Sequence, residues 1–200
     1  MRRWSLAGDS GAGDSTLEVA GFDAITSVDR RTLAEQYERI FTAYGPALVR
    51  LTACYEFRPD AREDLLQEIL VAVWKALPSF RGDCSEKTFA LRVAHNRCLT
   101  HVWRRGKSRE SEGELPEIPD PRKSPEALAI DSRRRETLLA AIRALPVNYR
   151  QVITLALEDL APAEIAGVLG VTENNVAVRL NRARKALRRI LEEKPLEERL

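Results

Sequence analysis

The chain is poor in the residues that most often announce chemistry. Among 200 residues there are three cysteines, two histidines, one methionine and three tryptophans, and aromatics make up 6%. Three cysteines, at Cys54, Cys84 and Cys98, are an odd number without paired spacing. That argues against a disulfide framework and for a reducing compartment, so a cytoplasmic location is expected. No apolar run approaches the roughly 18 residues of a membrane span, so no membrane insertion is expected. The first residues (MRRWSLAGDSGAGDSTLEV) lack the apolar core of a secretory signal. No GxGxxG, phosphate-binding loop or nucleophile elbow occurs, and the carboxylates lie on charged helical segments, so no enzyme and no cofactor is expected. Alternation of the strand type is also missing.

What is present is helical patterning with unevenly placed charge. Apolar residues form 44% of the chain and its net charge is only +2, so it can bury real cores and is no general polycation. Six cations and no acid fall between Arg179 and Arg189, whereas Gly106 to Asp131 holds seven acids against four bases. A basic patch on a nearly neutral chain points to one localised polyanion site.

Residues 1–30, rich in Gly, Ser and Asp, read as a mobile extension. In the stretch that follows, Leu33, Tyr37, Ile40, Phe41, Tyr44, Leu48 and Leu51 recur at helical spacing, with a bend expected at Gly45-Pro46. A second helix opens at Pro59-Asp60, carries Leu66, Ile69, Leu70, Val73 and Leu77 as its stripe, and ends at Pro78. RGDCSEKT reads as a turn, and a third helix follows from Phe89 into a basic end. Residues 107–126, with four prolines, read as an extended linker. Four further helices complete residues 127–194. The expected fold class is all-α: two small helical domains, 31–106 and 127–194, on a flexible tether.

The last forty residues hold the most specific local pattern. In APAEIAGVLGVTENNVAVRL, Pro162 suits a first helical turn, and Ile165, Ala166 and Leu169 face inward. Gly170 takes the turn, where positive φ is cheap for glycine, and Thr172 caps the next helix. Val176 and Leu180 dock that helix on the first, and the Ala-x3-Gly-x5-Val spacing is that of a helix-turn-helix. Thr172, Asn174, Asn175, Arg179, Arg182 and Arg184 are left outward, the donors and cations that major-groove reading requires.

On the second helix, Asp64, Gln67 and Glu68 share one face at i, i+3 and i+4. Taken alone this is a solvated surface. His95, Cys98 and His101 step around the third helix and make a poor metal set, so no metal is expected and Cys98 reads as a core residue. Trp74 and Trp103 read as packing residues before base-stacking platforms.

The order of features, with these residues, resembles the extracytoplasmic-function (ECF) sigma factors of bacterial RNA polymerase. DAREDLLQEILVAVWKALPSFRGDCSEKTFALRVAHNRCLTHVWRR is similar to their region two, and LPVNYRQVITLALEDLAPAEIAGVLGVTENNVAVRLNRARKALRRIL to their region four. The resemblance implies a non-enzymatic protein that directs core RNA polymerase to promoter DNA and helps open it. It implies that Asp64, Gln67 and Glu68 dock on the polymerase clamp. It places the loop Phe80 to Thr88, with Arg81, Asp83, Ser85 and Lys87, at a flipped base of the minus-10 element. It assigns the melted strand to Asn96, Arg97, Arg104 and Arg105, and the minus-35 element to the outward set from Thr172 to Arg184. An anti-sigma protein is a further partner implied by the family. The chain departs from the pattern at Ala177, where lysine is common, and at His95, where a base is frequent; residues 1–30 have no counterpart. The competing expectation is a helix-turn-helix regulator that acts without joining polymerase.

Overall fold

The structure, a computed structural model, describes residues 27–112 and 126–192. Four helical segments form the first unit: α1 (Ser27–Tyr55), α2 (Pro59–Ala76), a short 3-10 turn (Leu77–Ser79) and α3 (Glu86–Glu112). Four helices form the second: α4 (Glu126–Ala144), α5 (Val147–Leu157), α6 (Pro162–Leu169) and α7 (Glu173–Glu192). Among the described residues there is no strand, as the missing alternation implied.

Each unit is built by helices burying one stripe. Ile40, Leu48 and Leu51 of α1 meet Leu65, Ile69 and Val73 of α2 and Leu91, Ala94 and Cys98 of α3. The stripe of α2 therefore runs through Leu65 at intervals of four. Leu66 and Leu70, expected at its centre, are half-buried. Pro46 lies inside α1 without ending it. The residue is exposed, so the carbonyl that its missing N–H leaves free is on the solvent side. In the second unit Ile142, Leu145, Val152, Leu155, Ile165, Val176 and Ala183 are buried together.

Several boundaries differ from the sequence expectation. The turn expected to end at Thr88 is shorter, because α3 starts at Glu86. Ser85 Oγ accepts the Thr88 N–H at 3.1 Å, so a serine cap nucleates the helix three residues early. At its other end α3 continues to Glu112, so the first six residues of the expected linker, 107–112, are helical. Residues 113–125 lie outside the described residues, as do 1–26. The last four of the expected extension, 27–30, belong to α1.

The two units are not held apart. α1 packs on α4 and α5, and the start of α3 meets α6. Arg143 Nη1 donates to the carbonyl of Ala53 at 2.8 Å, and the Tyr55 ring lies beneath the Arg150 guanidinium.

Candidate nucleic-acid and partner interfaces

Burial of Leu65, Ile69 and Val73 forces Asp64, Gln67 and Glu68 onto the other side of α2. Asp64 and Gln67 are exposed; Glu68 is half-buried, with Oε2 2.9 Å from Nε of Arg97 on α3. The same face continues through Val71 and Trp74, exposed by 53% and 38%. Trp74 sits at the edge of the core: its ring stands perpendicular to that of Tyr37, centroids 5.3 Å apart, with part of its surface left to solvent. The acidic face is therefore joined to an apolar one, a continuity the sequence reading did not draw.

In the loop before α3, Arg81, Asp83 and Ser85 are exposed and Lys87 is half-buried. Gly82 holds φ of 77°, a conformation that costs a glycine little. Phe80 and Phe89, with ring centroids 4.7 Å apart, brace the loop from below. Thr88 is buried and donates its hydroxyl to Oε1 of Glu164 on α6 at 2.5 Å, with Ser85 Oγ 3.4 Å from the same oxygen. That hydrogen bond, helped by the Ala161 N–H, holds the Glu164 carboxyl below its usual range.

Along α3 the expected strand-binding residues part company. Asn96 and Arg104 are exposed. Arg97 is tied to Glu68, and Arg105 turns inward to Glu56 while its guanidinium covers the Phe57 ring. Glu56 is fully buried at the end of α1 and accepts from His101 Nε2 at 2.8 Å, from Arg105, and from the Arg58 N–H at 2.9 Å. Burial alone would push its carboxyl up; the three donors overcome this and bring it to about 2. His95, expected as a weakened phosphate contact, is 1% exposed and its ring nitrogen Nδ1 lies 3.4 Å from the Tyr55 hydroxyl. Burial lowers its pKa to about 4, so it stays neutral and reaches no phosphate.

The helix-turn-helix follows its sequence pattern closely. Gly170 ends α6 at φ 67° and ψ 33°, the left-handed conformation anticipated for it. Thr172 Oγ1 accepts the Asn175 N–H at 3.3 Å, which caps α7. Ile165 and Ala166 face inward as expected; the third inward residue is Val168, with Leu169 only partly covered. Val176 and Ala183 are fully buried, which turns Asn174, Asn175 and Arg182 to solvent, with Arg179 half-covered. Among the described residues no carboxylate pairs with Arg179, Arg182, Arg184, Lys185 or Arg188. Arg184 stands apart: with Leu138, Leu187 and Arg188 it lines a groove of about 570 Å³ between α4 and α7.

Among the described residues, no group of three or more His, Cys, Asp or Glu side chains is placed to hold a metal ion. Cys54 and Cys98 are buried, and burial raises both thiols, Cys54 to about 11, which keeps them protonated. No helix among the described residues is long and apolar enough to cross a membrane.

Residues 40–108 match the family description Sigma-70 region 2, and residues 135–187 match Sigma-70, region 4. Over 138 residues the chain is 31% identical to the ECF RNA polymerase sigma-E factor of Escherichia coli (strain K12), covering 62% of this chain and 70% of that protein. The chain belongs to the ECF sigma factors.

A second relative, the ECF RNA polymerase sigma factor SigE of Mycolicibacterium smegmatis, is 27% identical over 190 residues, covering 92% of this chain and 70% of that one. Among solved structures the fold is similar to the sigma factor RpoE in complex with the anti-sigma factor NepR from Bartonella quintana. There the TM-score is 0.63 at 19% identity, covering 80% of this chain and 99% of that one. It is also similar to CnrH in complex with the cytosolic domain of CnrY, with TM-score 0.59 at 22% identity, covering 82% and 98%. As an ECF sigma factor the protein works with core RNA polymerase and promoter DNA in transcription initiation, and the reading as a stand-alone regulator is not favoured.

Sequence reasoning missed the contacts that join this sigma factor's two halves. Glu164 carried a local signal, three residues after Ala161 in a helix-start pattern, and the second half of its role, toward Thr88, had none.

Proposed function

We propose a division of labour for this sigma factor. Residues 31–106 hold core polymerase through Asp64, Gln67 and Glu68, and the melted minus-10 strand through Arg81, Asp83, Ser85, Lys87, Asn96, Arg97 and Arg104, while Arg105, turned inward to Glu56, is left out of the strand-holding set. Residues 127–194 read the minus-35 duplex through Thr172, Asn174, Asn175, Arg179 and Arg182, with Arg184 set apart in the α4–α7 groove, and 113–125 set the reach between the two. The capped and cation-bearing α7, whose apolar side is buried and on which Arg179, Arg182, Arg184, Lys185 and Arg188 have no carboxylate partner among the described residues, is the observation that supports the reading best. Phosphate contacts then fix the register while a few amide and guanidinium donors read base edges.

An anti-sigma protein is the regulator we infer, since one of the similar solved structures is a complex with the anti-sigma factor NepR and another is a complex with the cytosolic domain of CnrY. The site of action is the cytoplasm, and the chain contributes no catalytic step of its own.

The deciding experiment is co-purification with core polymerase followed by promoter-dependent transcription in vitro. The variant Asp64→Ala/Gln67→Ala/Glu68→Ala loses about tenfold or more in core affinity, with its helical circular dichroism unchanged. Its fold is spared because the half-exposed Glu68–Arg97 pair is worth only about 0.2–1 kcal/mol. Wild-type protein that binds duplex DNA and leaves core polymerase alone would remove the reading.

A further inference from the structure

We infer that Trp103 is a stacking platform for an unpaired base of promoter DNA, a role that rests on the reading of α3 as the strand-holding helix. Its side chain is 67% exposed, more than any other large apolar side chain among the described residues. Helical spacing alone reads it as core or edge packing, and the structure excludes the core. Tyr37 pairs with Trp74, Phe80 with Phe89 and Arg105 with Phe57. Among the described residues, the Trp103 ring has no such aromatic or cationic companion.

Its surroundings select the class of ligand. Exposed Asn96 lies two helical turns before it on the same face of α3, with Thr100 between, its hydroxyl bonded to the Asn96 carbonyl at 3.0 Å. Exposed Arg104 follows directly. A ring with an exposed amide on its stripe and an exposed guanidinium at the next position, and no second exposed large apolar side chain among the described residues of α3 (Leu99, one turn before, is half-buried), is unlike the core of a protein-binding patch. The contrast is on the next helix, where Trp74 shares its face with Val71. Single-stranded nucleic acid fits the Trp103 set: each base offers a π-face to the indole, and the adjacent cation meets the phosphate.

Position supports the role. Cys98 and half-buried Val102 tie this stretch of α3 to the core, and the helix runs on to Glu112, so the ring stands on a rigid stem. Arg105 cannot substitute for Arg104 beside it, because Glu56 holds it on the inward side. Stacking is tolerant of base identity, so Trp103 stabilises the opened strand without adding to sequence choice.

The test uses the full chain assembled with core polymerase, with Trp103→Ala and Trp103→Phe compared. The probes are a fork promoter DNA carrying a single-stranded minus-10 segment and a fully paired minus-35 fragment. Trp103→Ala lowers fork affinity about ten- to a hundredfold and leaves the salt slope, the paired fragment and core binding unchanged, while Trp103→Phe restores most of the loss. Fork affinity equal to wild type in Trp103→Ala overturns the proposal alone. Loss of core binding also overturns it, by assigning the ring to a protein contact. A wild-type complex that holds core polymerase but no single-stranded DNA removes the reading of α3 and this role together.

Discussion

Arg50 on α1 grips Glu158, just past the end of α5, with Nε and Nη2 at 2.9 and 2.7 Å from its two carboxylate oxygens. The pair joins residues 108 positions apart and, with Thr88–Glu164, closes one half of the sigma factor onto the other. The Glu158 side chain is only 6% exposed, so the guanidinium fork supplies hydrogen bonds that water cannot reach in to make.

Removing that fork leaves a nearly buried carboxylate unpaired. Arg50→Ala is therefore expected to cost about 1–3 kcal/mol, toward the lower end because Arg50 itself is half-exposed. Thermal denaturation reads this as a fall of roughly 2–4 °C per kcal/mol for a chain of this size. Arg50→Ala/Glu158→Ala should lose less than the two single changes added together; strict additivity would show that the pair is not coupled.

Acid should weaken the fold in two steps. His95 has its pKa lowered by burial to about 4, below the roughly 6.5 of an unfolded chain, so the unfolded state takes the proton first. Its contribution is complete above about pH 6.5 and disappears as pH falls toward 4, amounting to on the order of 3 kcal/mol. Glu56, brought to about 2 by its donors, contributes above its ordinary carboxylate value and is lost between there and about 2. Urea midpoints measured from pH 7 to pH 3 check both. His95→Gln flattens the upper slope and Glu56→Gln the lower; an unchanged profile in either variant counts against that assignment.

On the duplex side, cation and amide variants should separate by kind. Arg182→Ala weakens minus-35 binding on all sequences alike and lowers the salt slope by about 0.9 if it neutralises one phosphate. Asn175→Ala costs about 1–3 kcal/mol on the matched site and little on a scrambled one. Fluorescence anisotropy over a salt series distinguishes them. A scrambled duplex that suffers as much as the matched one from Asn175→Ala would remove the base-reading role.

Much of this was legible because helices are local. The left-handed Gly170, the Thr172 cap and the inward Val176 each follow from residues within a turn or two of one another. The divided stripe of α7 likewise needs only its period. Where a pattern was ambiguous, the neighbouring helix chose: Leu65 and Leu66 are equally apolar, and only contact with α1 and α3 made Leu65 the buried one. Ser85 moved the start of α3 because its hydroxyl competes with a turn that looked equally good on paper.

The amino-acid order by itself determined the helices, their caps, the two-unit plan and the exposed cations of α7, since these depend on spacing of 3.6 residues and on backbone preferences. Tertiary structure alone decided that His95 is sealed away, that Arg105 serves Glu56, that Trp103 faces water and that Arg50 meets Glu158. Those four outcomes turn on which surfaces meet across tens of residues, where burial and pairing set the energy of each group and no local period carries the information.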